Sequence, residues 1–308
     1  MWKIISGLFL GWSLGANDSA NIFGTGVTTG TVKYRTAILL TAIFVLLGSI
    51  LEGPKCMKTV GELSRLLPLE AFSCTLAAAL TMGVLTYFAI PASSSQCIIG
   101  AVIGAGLFLG SADFSGLYKI ISCWLFTPIS GIMIGYGLHR VLGYFLNRTI
   151  ASISYRNLFY SIGIITAGCY GAYSLGSNNV ANVTGVYVGS GMLTAETASL
   201  IGGLSIAAGA VTYSKRVMMT VGKGIAPLDP FSALVTVLAT AFTLHLFTQI
   251  QVPVSSSQAV VGAVVGVGLV GRLQTVSYKM LSRIAIGWLV TPIAAGFMAY
   301  GMLRWIIM

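Results

Sequence analysis

Two kinds of polar cluster interrupt an otherwise apolar chain, and each is written twice. The first is "SLGANDSANIFGTG" (13–26), which carries Asn17, Asp18 and Asn21. Asn17 and Asn21 are four apart and Asp18 is three before Asn21, so all three fall on one side of a helix. Gly15 and Gly24 flank them and are expected to permit local unwinding. A carboxylate in the middle of a bilayer costs at least about 2.5–3.5 kcal/mol, so it belongs where it faces a cavity, a partner or an ion. A carboxylate, carboxamide oxygens and freed backbone carbonyls together make a hard-cation site suited to Na⁺. The plainer use of the same residues is hydrogen-bonded glue between helices. The second cluster is P-x-S-S-S-Q, with Ser93, Ser94 and Ser95 after Pro91, and Ser255, Ser256 and Ser257 after Pro253. Serine is a strong N-cap. The unpaired N–H groups of a first helical turn, at the positive end of the dipole, form a ready anion site. Two such helix starts facing each other would make a neutral, donor-rich cradle for a tetrahedral oxyanion. Plain capping is the simpler use.

The elements that must position these residues are membrane helices. Of 308 residues, 56% are hydrophobic and 8% charged, and the mean hydropathy is +0.90. Soluble domains carry about 25% charged residues. Uncharged runs cover 36–51, 71–112, 120–138, 157–195, 197–214, 230–271 and 284–303. Most approach the roughly 20 residues that cross a bilayer. The runs 71–112 and 230–271 are too long for one crossing, so each folds back or crosses twice. Apolar residues run on without alternating, which excludes an outer-membrane barrel. The formal charge of +10 lies in short gaps between spans, as in Lys55/Lys58/Arg65 and Lys215/Arg216/Lys223. This is the pattern of topology-setting and headgroup-contacting residues, and no basic patch interleaved with aromatics points to nucleic acid.

The chain is a duplication. "LGANDSAN" (14–21) returns as "LGSNNVAN" (175–182), identical at 5 of 8 positions. "PASSSQCIIGAVIGAGL" (91–107) returns as "PVSSSQAVVGAVVGVGL" (253–269), identical at 11 of 17, and "WLFTPISGIMIGYGLHR" (124–140) as "WLVTPIAAGFMAYGMLR" (288–304), identical at 8 of 17. The offsets are 161, 162 and 164. Three blocks in one order divide the chain into a first transmembrane repeat, 1–150, and a second, 151–308, joined near "NRTIASISYR" (147–156) and forming one unit. Lys3 and the apolar stretch after it also suit a signal peptide. The same motif at 175–182 disposes of that reading. The expected fold is therefore an all-α integral membrane protein of about 10–12 membrane segments. In each half a helix is interrupted by the Asn motif, and a Gly-rich segment after P-x-SSSQ either crosses or is re-entrant. An odd number of crossings per half would invert the repeats, as in secondary transporters.

Other chemistry is thin. The cysteines (56, 74, 97, 123 and 169) show no CxxC and read as small buried hydrophobes. His139 and His245 suggest no zinc set, and no nucleotide, hydrolase or metalloprotease motif is present. The glycines at 100/104 and 262/266 form GxxxG pairs for helix packing. Trp124 and Trp288 read as interface or core aromatics.

"GANDSAN", "GSNNVAN" and the paired "P-x-SSSQ" blocks resemble the inorganic phosphate transporter (PiT) family, which also contains sulfate permeases. The likeness spans essentially the whole chain in the family's motif order. It implies an inverted-repeat transporter in the cell (inner) membrane, often dimeric, that couples Na⁺ or H⁺ to oxyanion uptake with no cofactor. Carried over, the cation-binding residues are Asn17, Asp18, Asn21, Asn178, Asn179 and Asn182, with Na⁺ at Asn17, Asp18 and Asn178. The anion ligands are Ser93–Ser95 and Ser255–Ser257, with Asp18 and Asn179 beside them. Gln96, Gln258 and Thr25 are expected to support both sets.

The chain departs from the family pattern in three ways. Asn179 stands where the family has Asp, Gln96 and Gln258 stand where it has His, and a large central loop has no room. Phosphate keeps a proton near neutral pH and gains from a carboxylate acceptor, whereas sulfate has none to donate. The losses move the site toward sulfate, while Asp18 keeps phosphate ahead. The expected function is a phosphate symporter working by alternating access. The alternatives are a sulfate transporter of the same family and, from another class, a passive anion channel. An intramembrane enzyme would need a nucleophile–base pair or a metal set inside the motifs, and they contain neither.

Overall fold

The computed structural model describes residues 2–63, 66–111, 114–224, 228–271 and 278–307, and within them the regular structure is helical. In the first half α1 (Ile5–Asp18) and α2 (Ala20–Thr28) form one broken unit. They are followed by α3 (Tyr34–Glu52), α4 (Pro54–Gly61), α5 (Pro68–Tyr87), α6 (Ser94–Leu109) and α7 (Phe114–Thr149). The second half contains α8 (Ile153–Gly189), α9 (Ala195–Tyr213), α10 (Lys215–Gly224), α11 (Pro230–Gln249), α12 (Ser256–Gly271) and α13 (Tyr278–Ile307). Seven of the described helices are long and apolar enough to cross a membrane. Local sequence marks the helix ends. Pro68 and Pro230 open α5 and α11, where a missing N–H costs nothing. The Asp229 carboxylate caps α11 by accepting from the N–H of Phe231 and Ser232. Gly110, at φ 67°, closes α6 in the left-handed conformation that suits glycine.

The halves are swapped around each other. α1 packs on α9 as α8 packs on α3, α2 on α10 as α8 on α4, and α6 on α13 as α12 on α7. Matching glycines make these crossings. Gly15 lies against the Ile206 backbone and Gly176 against that of Val45, while Gly100 meets Pro292 and Gly262 meets Pro128. Contacts that are reciprocal in this way define a two-fold relation. Its sense is also fixed. Gly7, near the start of α1, faces Tyr187 near the end of α8, whereas Gly26 in α2 faces Ile164. The α1–α2 unit therefore runs antiparallel to its own counterpart, and the repeats are inverted. The side where α1 begins and α8 ends is the first face below, and the opposite side is the second face.

The long uncharged runs resolve as hairpins. α5 runs beside α1, with Ser6 bonded to Thr75 at 2.7 Å near one end and Asn17 to Thr86 at 3.1 Å near the other. α6 then doubles back, so that Cys97 Sγ donates to the Ala78 carbonyl at 3.3 Å. A 16-residue helix is about 24 Å long, short of a 30 Å hydrocarbon core. α5–α6 is thus a re-entrant hairpin whose tip lies level with the Asn motif, and α11–α12 is its inverted copy. Each half makes three crossings besides its hairpin, an odd number that accounts for the inversion.

Two sequence expectations are corrected. Only the first Asn motif interrupts its helix, at Ser19, while α8 runs unbroken from Ile153 to Gly189. No side-chain bond explains the difference: the Ser19 hydroxyl is buried without a partner, and its backbone stays near helical at φ −58°, ψ −25°. Nor do Gly15 and Gly24 serve unwinding. Both lie inside regular helix, pressed against the backbone of Ile206 and Met218 respectively.

Candidate functional site

The hairpin tips meet the Asn motifs in a buried polar centre. Asn17, Asp18, Asn21, Asn178, Asn179, Asn182 and all six serines are at most 2% exposed, and Gln96 and Gln258 are 5% exposed. Thr25, one turn beyond Asn21, is also buried.

The two leading asparagines hold the hairpin loops. Asn17 Nδ2 donates to Thr86 Oγ1 at 3.1 Å and to the Ile90 carbonyl at 3.0 Å, and its Oδ1 accepts from the Ala92 N–H at 3.1 Å. Asn178 repeats the arrangement with Thr248 Oγ1 at 3.2 Å, the Val252 carbonyl at 3.1 Å and the Val254 N–H at 2.8 Å. One carboxamide thus satisfies a donor and an acceptor of a non-helical turn buried where water is scarce. The geometry gives Asn17 and Asn178 a positioning role that their spacing in sequence did not suggest. Thr86 and Thr248 complete the clamps. Sequence reasoning missed them, although they recur at the offset of 162 that relates the hairpins.

Within each serine triplet the roles divide. Ser93 and Ser255 are the caps, accepting from the N–H of Gln96 at 3.3 Å and of Gln258 at 3.2 Å. Ser95 and Ser257 turn back on them, and Ser257 also accepts from Trp288 Nε1 at 3.1 Å. Trp288 is therefore more than a packing aromatic. The middle serines face the Asn motif. Ser94 Oγ donates to Asp18 Oδ2 at 2.6 Å, and Asn21 Nδ2 donates to Ser256 Oγ at 2.9 Å. Asp18 and Asn21 thereby reach both half-helix starts, one from each repeat. The second motif does not copy this, because Asn182 Nδ2 is bonded to Asn179 Oδ1 at 2.7 Å.

The unpaired atoms indicate the chemistry. Asp18 Oδ1, Asn21 Oδ1, Asn182 Oδ1, Gln96 Oε1 and Gln258 Oε1 are buried oxygens without a partner, and Asn179 Nδ2 is a buried donor without one. Buried polar atoms are normally satisfied. A group of acceptors headed by a carboxylate suits a cation with oxygen ligands. The helix starts supply unpaired N–H groups for an anion. Among the described residues no lysine or arginine is buried, and Asp18 and Glu70 are the only buried acids. An oxyanion brought beside Asp18 would find no fixed cationic side chain there. No cluster of three His, Cys, Asp or Glu residues among those described forms a metal-binding set. His245 does not stand alone, however. It bonds to Tyr170 at 2.6 Å and faces Glu52 at 3.2 Å, at the edge of the molecule.

Known proteins are similar to this chain in sequence and fold. A model of the phosphate transporter family matches residues 14–157 and 147–299, one match per repeat. A protein of Methanocaldococcus jannaschii that bears the name of a phosphate permease is 30% identical over 95% of this chain and 93% of its own length. The sulfate permease CysP of Bacillus subtilis is 27% identical over 96% of this chain and 85% of its own. The solved structure of a sodium-dependent phosphate transporter has the same fold, with a TM-score of 0.86, 22% identity and coverage of 99% of this chain and 98% of that one. With both repeats matched in order and the relatives covered nearly end to end, this multi-pass membrane protein is a transporter, not an enzyme, and belongs to the phosphate transporter family.

Proposed function

We propose that the chain is a symporter of the cell membrane that moves inorganic phosphate together with Na⁺ by alternating access. The observation that carries this reading is the joint attachment of Ser94 and Ser256 to Asp18 and Asn21. It sets two helix N-termini, a carboxylate and unpaired carboxamide oxygens around one buried point. The anion is held by the N–H groups and hydroxyls of Ser93–Ser95 and Ser255–Ser257. The cation is held by Asp18, Asn21 and Asn182, the unpaired Asn179 Nδ2 adds a donor for the anion, and Asn17 and Asn178 keep the loops in place. Gln96 and Gln258 add amide groups at the rim. Na⁺ is favoured over H⁺ because the unpaired oxygens are mostly amides, which do not take up protons at neutral pH. That the site's residues are buried favours a carrier over a passive channel, since a channel needs a continuous wet path. We take a homodimer as the working assembly, on the family resemblance alone.

A second reading has its own support. Asn179 replaces a carboxylate with a group that can donate, and the sulfate permease of B. subtilis is similar along nearly the whole chain. Uptake of labelled phosphate and sulfate into proteoliposomes, with and without an inward Na⁺ gradient, separates the readings. Concentrative phosphate uptake driven by Na⁺ is the expected result. Sulfate uptake alone supports the second reading, and downhill flux of either anion without gradient dependence sinks both.

A further inference from the structure

The two hairpin loops match in backbone but not in what they touch. Each turns through a non-glycine residue with left-handed φ, Gln251 at 65° and Ala89 at 55°, and each is clamped by its asparagine as described above. Loop 250–253 is docked. Thr59 Oγ1 of α4 donates to the Gln251 carbonyl at 2.6 Å, and Lys119 Nζ of α7 reaches the Ile250 carbonyl at 3.3 Å. Val252 is 0% exposed. Among the described residues, loop 88–91 has no such hold. Thr220 of α10, the counterpart of Thr59, turns its hydroxyl to the Arg216 carbonyl of its own helix at 3.2 Å. A cavity of about 490 Å³ separates Phe88–Pro91 from Thr220, Ile284, Gly287 and Val290. Ile90, the counterpart of Val252, is 40% exposed.

Resting on the transport reading above, we propose that Thr59 and Thr220 are reciprocal positioning residues that hold the two hairpin loops shut in turn. In the state seen, Thr59 fastens loop 250–253 on the first-face side of the site. In the alternate state Thr59 releases Gln251, and loop 88–91 moves into the cavity, where Thr220 exchanges its bond to Arg216 for one to the Ala89 carbonyl. The inverted repeats make the two states near equivalents under the two-fold relation, each with one docked loop and one free threonine hydroxyl satisfied within its own helix. They therefore differ little in energy, as a two-state switch requires. Each loop runs within three or four residues into the serines that face Asp18 and Asn21, so docking and release shift the anion donors directly.

The experiment uses the full chain in proteoliposomes, with the five native cysteines replaced by alanine. Two cysteine pairs are built in, T59C with Q251C and T220C with A89C. After mild oxidation, disulfides are read by mass spectrometry of the digested protein, and uptake is measured before and after reduction. Both pairs are expected to link, each link stopping uptake and reduction restoring it. Adding Thr59→Val to the second pair is expected to raise its rate of linking about fivefold, the population shift for one lost hydrogen bond. The proposal is overturned if the T220C/A89C pair stays unlinked while the other links, if linked protein transports at the reduced rate, or if Thr59→Val leaves linking unchanged. Uptake by the reduced proteins reports on the transport reading alone, and linking is read without reference to uptake.

Discussion

Asp18 is the residue on which the site's charge depends. It is the lone acid of the polar centre, and one of its oxygens accepts from Ser94 while the other has no partner. Asp18→Asn keeps the shape and removes the charge. With a hydrogen bond to a charged group contributing about 1.5–3 kcal/mol, Na⁺-driven uptake is expected to fall at least tenfold while the protein purifies as before. Uptake and size-exclusion profiles of the variant check both halves of this, and normal Na⁺-dependent uptake would remove Asp18 from the site. Asn179 carries the selectivity argument. Asn179→Asp supplies a second acceptor that protonated phosphate can use and sulfate cannot. Competition assays are expected to show a shift toward phosphate of about tenfold, one good charged hydrogen bond. An unchanged ratio would place Asn179 away from the anion.

At the scale of elements, the hairpins depend on two supports. The asparagine clamps hold the loops, and Asn178→Ala leaves the Val252 carbonyl and the Val254 N–H buried without their partner. Each such loss costs about 1–3 kcal/mol. A clear fall in thermal stability is expected, together with uptake reduced more than for a surface substitution, both read on purified protein. The half-helices in turn need close approach to α13 and α7. A Cβ at Gly100 would meet the backbone of Pro292. Gly100→Ala is therefore expected to cost about 1–3 kcal/mol through overpacking. Gly137, with nothing nearby, accepts alanine with no loss. Equal melting temperatures for the two variants would contradict the packing.

For the whole molecule, the burial of every central residue has a kinetic consequence. A buried site must open to exchange its ligand, so unlabelled anion loaded inside proteoliposomes is expected to drive transient accumulation of labelled anion from outside. Absence of this counterflow, with simple equilibration in its place, would mark a channel. The same scale explains the fold. The inverted repeats swap their helices, each half supplying the surface against which the other packs, so neither half has a complete core of its own.

Much of this was legible in the chain. The duplicated motifs, the capping serines, the GxxxG pairs and the over-long uncharged runs follow from local rules that hold wherever the segment lies. Capping depends on one turn of helix, and burying an acid is costly in any apolar surrounding. The sequence by itself thus determined the membrane class, the two repeats and the residues worth testing. Tertiary structure alone decided which atom meets which. Spacing places Asn17 on a helix face, but only the return of α5 beside α1 sets that carboxamide against a loop some seventy residues away. Gly15 and Gly24 looked like hinges because a glycine's freedom is local, whereas their close contacts belong to helices from the other half. The unequal docking of the two loops was hidden for the same reason, and the roles of Trp288 and Thr86 because their partners are distant in sequence within their own half. The halves read nearly alike, yet residues of the first half dock loop 250–253 while Thr220 of the second leaves loop 88–91 undocked.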